Sequence, residues 1–134
     1  MKTWSAMYFL VWIALVQILI VLFPVLPGSE TYDMHGLVGV VLVGVALYVY
    51  RSVRKTACPD RIKRISKTTA ILAGVQGLLG LTLFAGMMMH FGSVFQTIIL
   101  FVHVINAIAI ITQAASSATA FDMWEEKEFL GEHI

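Results

Sequence analysis

Four long apolar runs, at 7–26, 34–50, 69–90 and 94–121, constrain the fold of this chain more than any other feature of its sequence. A helix needs about 20 residues to cross a hydrocarbon layer about 30 Å thick. Lipid offers the backbone no hydrogen-bond partners, so a spanning segment must satisfy its own N–H and C=O groups. The runs also lack the alternating polarity of barrel strands. We therefore predict an all-α integral membrane protein with four spanning helices.

The composition agrees with lipid as the solvent of this chain. Of its 134 residues, 59% are hydrophobic and only 13% are charged, and the length predicts a single domain over 1–134. The lone Cys58 excludes an intramolecular disulfide. The first apolar run is longer than the core of a signal peptide and has no small-residue cleavage pattern, so we expect it to remain as a membrane span.

The basic residues indicate how the chain is oriented. Seven of the nine Lys and Arg lie in the segment 51–67, whereas the turns at 31–34 and 91–93 carry none. Basic residues in short loops favour the cytoplasmic side. We therefore predict a multi-pass protein of the cell membrane, an up-down-up-down bundle with a cytoplasmic loop at 51–67 and both termini in the cytoplasm. Contact of this segment with anionic lipid explains its charge without a nucleic acid partner.

Two histidines lie within or at the edge of apolar runs, where an ionisable side chain is costly and usually functional. His35 is 15 residues from the inner boundary at Tyr50, or ~23 Å, and His103 is 18 residues from Phe121, or ~27 Å, at 1.5 Å per residue. The two side chains are thus predicted at one level in the outer part of the bilayer. Neutral imidazoles from two helices can bind one heme iron from opposite faces.

Alternatives exist for each residue of this proposed site. His103 could be hydrogen-bonded across helices without a cofactor, and His35 is close to water. Gly39 lies one turn from His35 and could admit a flat porphyrin, or it could serve helix packing. Gln17 and Gln76 are expected to bridge neighbouring helices.

The sequence context of the remaining histidines, the methionine run and the polar residues of the fourth helix favours structural roles. His90 is expected at the outer interface and His133 in solvent. The run Met87-Met88-Met89 points in three directions, which favours packing and lipid contact over a metal site. On the fourth helix, Asn106, Gln113 and Ser117 follow His103 within about 80° of one helical face, so a polar stripe should face the bundle interior.

Three features resemble the heme A synthase family, in which a repeated four-helix unit carries one histidine on its second helix and another on its fourth. They are His35 at the start of the second span, the run Gln76-Gly77-Leu78-Leu79-Gly80 in the third, and His103-Val104-Ile105-Asn106-Ala107 in the fourth. They cover roughly residues 7–120, so the chain is similar to one half of such an enzyme.

The resemblance implies that His35 and His103 are heme-iron ligands. The heme would be a bound heme b, or heme O taken as the substrate for conversion to heme A. The family's catalytic half has a glutamate three residues before the helix-two histidine and an arginine after it, where this chain has Tyr32 and Gly36. The resemblance therefore implies heme binding and leaves open whether the protein is an oxidoreductase or a b-type electron carrier.

A function of a different class is also compatible with the sequence. The chain could be a small non-catalytic structural subunit of a terminal oxidase or another membrane complex, or it could form a homo-oligomer. The glycines Gly74, Gly77, Gly80 and Gly86 of the third run would permit close helix contacts, and the acidic tail after Asp122 could dock on a partner.

Overall fold

The structure is a computed structural model that describes residues 2–23 and 29–131. In these ranges the chain forms four helices, α1 (Thr3–Leu22), α2 (Ser29–Arg54), α3 (Asp60–Met88) and α4 (Ser93–Gly131). Each is long and apolar enough to cross a membrane. The predicted all-helical fold with four candidate spans is therefore confirmed for the described part of the chain. The predicted helix stop at Pro24 and Pro27-Gly28 lies outside the described residues.

The helices are longer than the apolar runs at most of their ends. Most of the predicted loop at 51–67 is helical, because α2 continues to Arg54, α3 begins at Asp60, and only 55–59 lie between them. Hydropathy marks the part of a helix that meets lipid, whereas Lys and Arg are themselves good helix formers. The basic residues thus lie largely on two helix ends, and α4 likewise continues through the acidic tail to Gly131.

The third helix ends two residues before the predicted boundary at His90, in a hydrogen-bonded cap. His90 has a φ of 57°, in the left-handed region that terminates many helices. The Phe91 N–H donates to the Gly86 carbonyl at 2.9 Å, and the Gln96 side-chain amide donates to the same carbonyl at 3.1 Å. The Gln96 amide of α4 is thus a second donor to a carbonyl near the end of α3, which ties the two helices together.

The helices pack as a ring in which consecutive helices are neighbours and α1 also contacts α4. Helices α2 and α4 therefore lie diagonally opposite. The contacts join the beginning of one helix to the end of another: the Tyr8 hydroxyl donates to the Asp122 carboxylate at 3.3 Å, and the Gln17 side-chain amide donates to the His35 carbonyl at 3.0 Å. Helix α1 therefore runs antiparallel to both α2 and α4.

Most of the buried core lies in the half of the bundle that carries the basic helix ends. Many of its members are small, which lets helix backbones approach closely in lipid. The fully buried alanines are Ala6, Ala46, Ala73, Ala114 and Ala118. In the other half, α2 over 32–41 and α4 over 93–105 are mostly exposed. The lateral surface carries large apolar side chains such as Trp12, Val40 and Phe101, each at least 65% exposed, as expected of side chains in contact with lipid.

Enlarging an alanine tests the close packing of this core. Ala73 is 0% exposed, so Ala73→Leu should destabilise the folded bundle by roughly 1–3 kcal/mol through overpacking. Thr119 is exposed on α4, and Thr119→Leu also introduces a leucine into a helix of the same half, but without a clash. Thermal unfolding in one detergent should show a lower midpoint for Ala73→Leu than for the unchanged protein. The midpoint of Thr119→Leu should not be lowered. Equal midpoints would contradict the packing described.

Candidate functional site

The imidazoles of His35 and His103 meet in the interior of the bundle. Their ring centroids are 6.1 Å apart, with the ring planes at 54° to one another, and both side chains are half-buried. His35 belongs to α2 and His103 to α4, which lie diagonally opposite, so the two rings reach toward each other across the bundle axis. The structure thus brings together the two histidines that the sequence places at one level.

Gln17 holds the His35 ring from α1. The His35 Nδ1 is 3.1 Å from the Gln17 backbone carbonyl. Because a carbonyl only accepts hydrogen bonds, Nδ1 carries the proton and donates it, which leaves a lone pair on Nε2 of the neutral ring. The Gln17 side-chain amide donates in return to the His35 carbonyl at 3.0 Å. The Nδ1 bond fixes the rotation and the tautomer of the ring, as outer-shell partners of metal-bound histidines do, and the second bond joins the two helices beside it.

The environment of His103 leaves one of its ring nitrogens without a partner. The His103 Nδ1 is buried and has no hydrogen-bond partner among the described residues. A buried polar atom in that state is rare and costs free energy, so it calls for a bound group or a water molecule. On α3, Gly80 makes room for the ring: a side chain there would begin 3.6 Å from the His103 Cε1.

The separation of the two rings suits one atom between them. At a centroid distance of 6.1 Å, the nearest ring nitrogens are about 4 Å apart at the least, too far for a direct hydrogen bond. Two metal–nitrogen bonds of about 2 Å span that gap when the metal lies between the rings. Among the described residues no group of three His, Cys, Asp or Glu side chains is placed to hold a metal ion.

Gly39 makes room for a side chain of the neighbouring helix. A Cβ at this position would lie 2.9 Å from the Gln17 Nε2. The missing side chain therefore accommodates the Gln17 amide, which contacts α2 at this point. Close helix packing, one of the two roles weighed from the sequence, explains this glycine better than the approach of a porphyrin does.

A second polar layer lies deeper in the bundle, between α3 and α4. The Asn106 side-chain amide donates to the Gln76 Oε1 at 2.7 Å and to the Leu72 carbonyl at 2.9 Å. The prediction that Gln17 and Gln76 bridge neighbouring helices is confirmed by these bonds and by the contacts of Gln17 with α2. Farther along, the Thr69 hydroxyl is 3.4 Å from the Gln113 Oε1. The stripe predicted on α4 therefore makes interhelical contacts.

The other candidate side chains lie away from the histidine pair. His90 is exposed, and its Nδ1 is 3.2 Å from the Met88 carbonyl within the turn that ends α3. The three methionines that precede it are also exposed, as expected of lipid contact. His133 lies outside the described residues.

Sequence reasoning did not find the contribution of Gln17 and Gly80 to the histidine site. A signal was present for Gln17, which is the only polar residue between Phe9 and Leu22 and therefore the one side chain in that part of the first span that needs a partner. Gly80 carried no comparable signal, since glycine is common in membrane helices for packing reasons alone.

Comparison of the chain with protein-family models, curated proteins and solved structures finds no match. The likeness to the heme A synthase family therefore rests on the quoted residues, and function has to be argued from the site.

Two glycines of α2 provide a matched test of the contact between Gln17 and His35. Both Gly39→Ala and Gly36→Ala gain helix propensity, because alanine is the better helix former. Gly36 has open space around it, whereas an alanine at 39 should displace the Gln17 amide and weaken its bond to the His35 carbonyl. Gly39→Ala should therefore be roughly 1 kcal/mol less stable than Gly36→Ala. Thermal unfolding of both variants measures the difference, and equal midpoints would show that the contact does not support the bundle.

Proposed function

We propose that the protein is a heme-binding membrane protein in which His35 and His103 bind the iron of one heme from opposite faces, near the outer side of the bilayer. The observation that carries this proposal is the pair of imidazoles that reach across the bundle axis to a centroid separation of 6.1 Å. A bis-histidine heme places its two ligands on two faces of one iron, and roughly this separation follows from bonds of about 2 Å.

The number of imidazole ligands and the protonation of the His35 ring favour heme over a free metal ion. Two imidazoles alone leave a first-row metal ion short of ligands, whereas a porphyrin supplies four nitrogens and needs two axial partners. His35 is held with its Nδ1 donating to the Gln17 carbonyl, so its Nε2 lone pair is free to bind iron. The unpartnered Nδ1 of His103 supports a bound group beside that ring.

The packing of the bundle supports the same location. Helix α2 over 32–41 and α4 over 93–105 contribute few buried residues, so a flat macrocycle at this level would lie apart from the closely packed alanines of the other half. Neither segment contains a lysine or arginine. The propionates of a bound heme would therefore find no cationic partner on these segments and would have to meet water.

Two histidine ligands favour electron transfer over oxygen chemistry. Heme would supply a one-electron redox centre, and iron held by both imidazoles would have no free position at which to activate oxygen. Tyr32 and Gly36 occupy the places of the family's catalytic glutamate and arginine, and Tyr32 is 60% exposed. We therefore favour a b-type electron carrier over a heme A synthase that oxidises heme O.

The proposed orientation follows from the distribution of charge. The basic ends of α2 and α3 face the cytoplasm, as the positive-inside rule requires. An even number of spans then leaves both termini on that side. Because His35 and His103 lie toward the opposite ends of their spans, the heme would lie close to the outer face of the cell membrane.

A role as a non-catalytic subunit of a larger membrane complex is the second candidate. One observation favours it: a groove of about 400 Å³ runs between α2 and α3, with the small residues Ala70 and Gly74 among its lining. A partner helix could pack there. Of the glycines invoked for such docking, Gly80 and Gly86 instead accommodate His103 and Phe91 within this chain. Co-purification of a larger membrane protein would support this function.

The heme proposal predicts an optical signal that depends on both histidines. Purified protein, titrated with hemin in detergent, should give a Soret band of a low-spin, six-coordinate heme. His35→Ala or His103→Ala should weaken heme binding by at least about 10- to 100-fold, the range seen when even an outer-shell partner of a metal ligand is removed. Added imidazole should restore the low-spin spectrum of each variant, because it replaces the lost ligand.

The control for this titration is His90→Asn, because asparagine tolerates the left-handed backbone at this position. The variant removes a histidine that contacts neither ring of the pair and should bind heme like the unchanged protein. A folded, colourless protein that takes up no hemin, or equal losses in all three variants, would reject the proposal.

Cysteine labelling tests the orientation independently of heme. In a Cys58→Ala background, Gly92→Cys should react with a membrane-impermeant maleimide added to intact cells, whereas Gly131→Cys should react only after the cells are opened. Both glycines are exposed, with open space around them. The reverse pattern would place the basic helix ends outside and contradict the orientation.

A further inference from the structure

A groove of about 430 Å³ opens between α3 and α4 at the basic end of the bundle. It differs from the groove between α2 and α3 because five of its six lining side chains carry polar or charged groups, although their aliphatic parts form most of its surface. Two arginines, two hydroxyl side chains, one amide and one apolar side chain line it, and these are Arg61, Arg64, Thr68, Ser116, Gln113 and Ile65. The histidine site uses none of these residues.

Donors available for an anion converge on this groove. Arg61 and Arg64 are three residues apart on α3, so they share a helix face, and both are exposed. The Thr69 hydroxyl donates to the Ile65 carbonyl at 2.9 Å and lies 3.4 Å from the Gln113 Oε1. The Gln113 amide NH₂ is the side-chain donor at the α4 wall. The Thr68 and Ser116 hydroxyls donate to the carbonyls of Arg64 and Thr112. The cationic and amide N–H groups are therefore what the groove offers to a ligand.

The position of the groove along the helices selects the ligand. Arg61 and Thr68 are seven residues apart, or ~10 Å along the helix axis, so the groove runs from the charged helix end to the beginning of the apolar span. An anionic headgroup at Arg61 and Arg64 would thus continue into acyl chains beside Ile65. Guanidinium groups bind phosphate through paired N–H donors.

We infer that this groove binds the phosphate headgroup of an anionic glycerophospholipid of the inner leaflet. Basic pockets between spanning helices on the cytoplasmic side bind such headgroups in other membrane proteins. The site goes beyond the general attraction of the basic helix ends for the membrane surface, because it requires particular residues of α3 and α4. A bound lipid would join these two helices at the end remote from the histidine pair.

A matched pair of double variants distinguishes a specific lipid-binding site from general electrostatic attraction between the basic helix ends and anionic lipid. Arg61→Gln/Arg64→Gln removes the two cations that line the groove. Arg51→Gln/Arg54→Gln removes two cations at the same spacing from the exposed end of α2, with the same change in net charge. Gln113→Leu removes the amide donor and leaves the net charge unchanged.

The measurement is native mass spectrometry of the full chain, delipidated and titrated with phosphatidylglycerol or with phosphatidylcholine as the neutral lipid. The Arg61/Arg64 double variant should bind phosphatidylglycerol at least about tenfold more weakly, the Arg51/Arg54 variant less than about threefold, and Gln113→Leu between these limits. Unchanged thermal midpoints and helix content in the absence of lipid confirm that the variants fold.

Equal losses in the two double variants would overturn the inference, because they would show surface attraction without a site. Equal affinity of the unchanged protein for both lipids would also overturn it. In a third titration, inorganic phosphate at millimolar concentration should not displace the lipid. Displacement would show that free phosphate is the ligand and would refute the assignment to a lipid.

Discussion

The reciprocal hydrogen bonds between Gln17 and His35 are the interaction on which the proposed site depends. They join α1 to α2 and turn one imidazole toward the interior, where the His103 ring comes from the diagonal helix. Lipid offers polar side chains no hydrogen-bond partners, so bonds of this kind between neighbouring helices are favoured. Two glycines leave room for these side chains: a side chain at Gly39 would contact the Gln17 amide, and one at Gly80 would contact the His103 ring.

The two ends of the bundle differ in their packing. The half with the basic helix ends contains most of the buried residues, many of them alanine, and holds the helices close together. The half with the histidines contributes few buried residues and carries the polar side chains of Gln17, His35 and His103 between its helices. The closely packed half holds the helices in place, and a proposed binding site needs such support because its ligands must be fixed before the bound group arrives.

Much of this architecture could be predicted from the sequence, but the positions of helix ends could not. Four apolar runs are sufficient to predict four helices, because lipid leaves the backbone no alternative. The helices extend beyond those runs into charged segments, where hydropathy carries no signal and helix propensity still favours helix. The end of α3 depends on His90 in a left-handed conformation, which sequence statistics assign to glycine or asparagine.

The candidate site was partly visible in the sequence. Counting residues from the inner boundary placed His35 and His103 at one level, since helix rise is constant. It could not show that α2 and α4 are diagonal, or that the Gln17 carbonyl fixes the tautomer of His35, because those facts depend on how each helix is rotated in the bundle. The contact of Gly39 with the Gln17 amide was hidden for the same reason.

Electron paramagnetic resonance of the oxidised, heme-loaded protein with ¹⁵N-labelled histidine shows whether one metal centre joins His35 and His103, as we propose. We expect a low-spin ferric signal coupled to two imidazole nitrogens, with one coupling lost in His35→Ala. A high-spin signal, or coupling to a single histidine nitrogen in the unchanged protein, would contradict it.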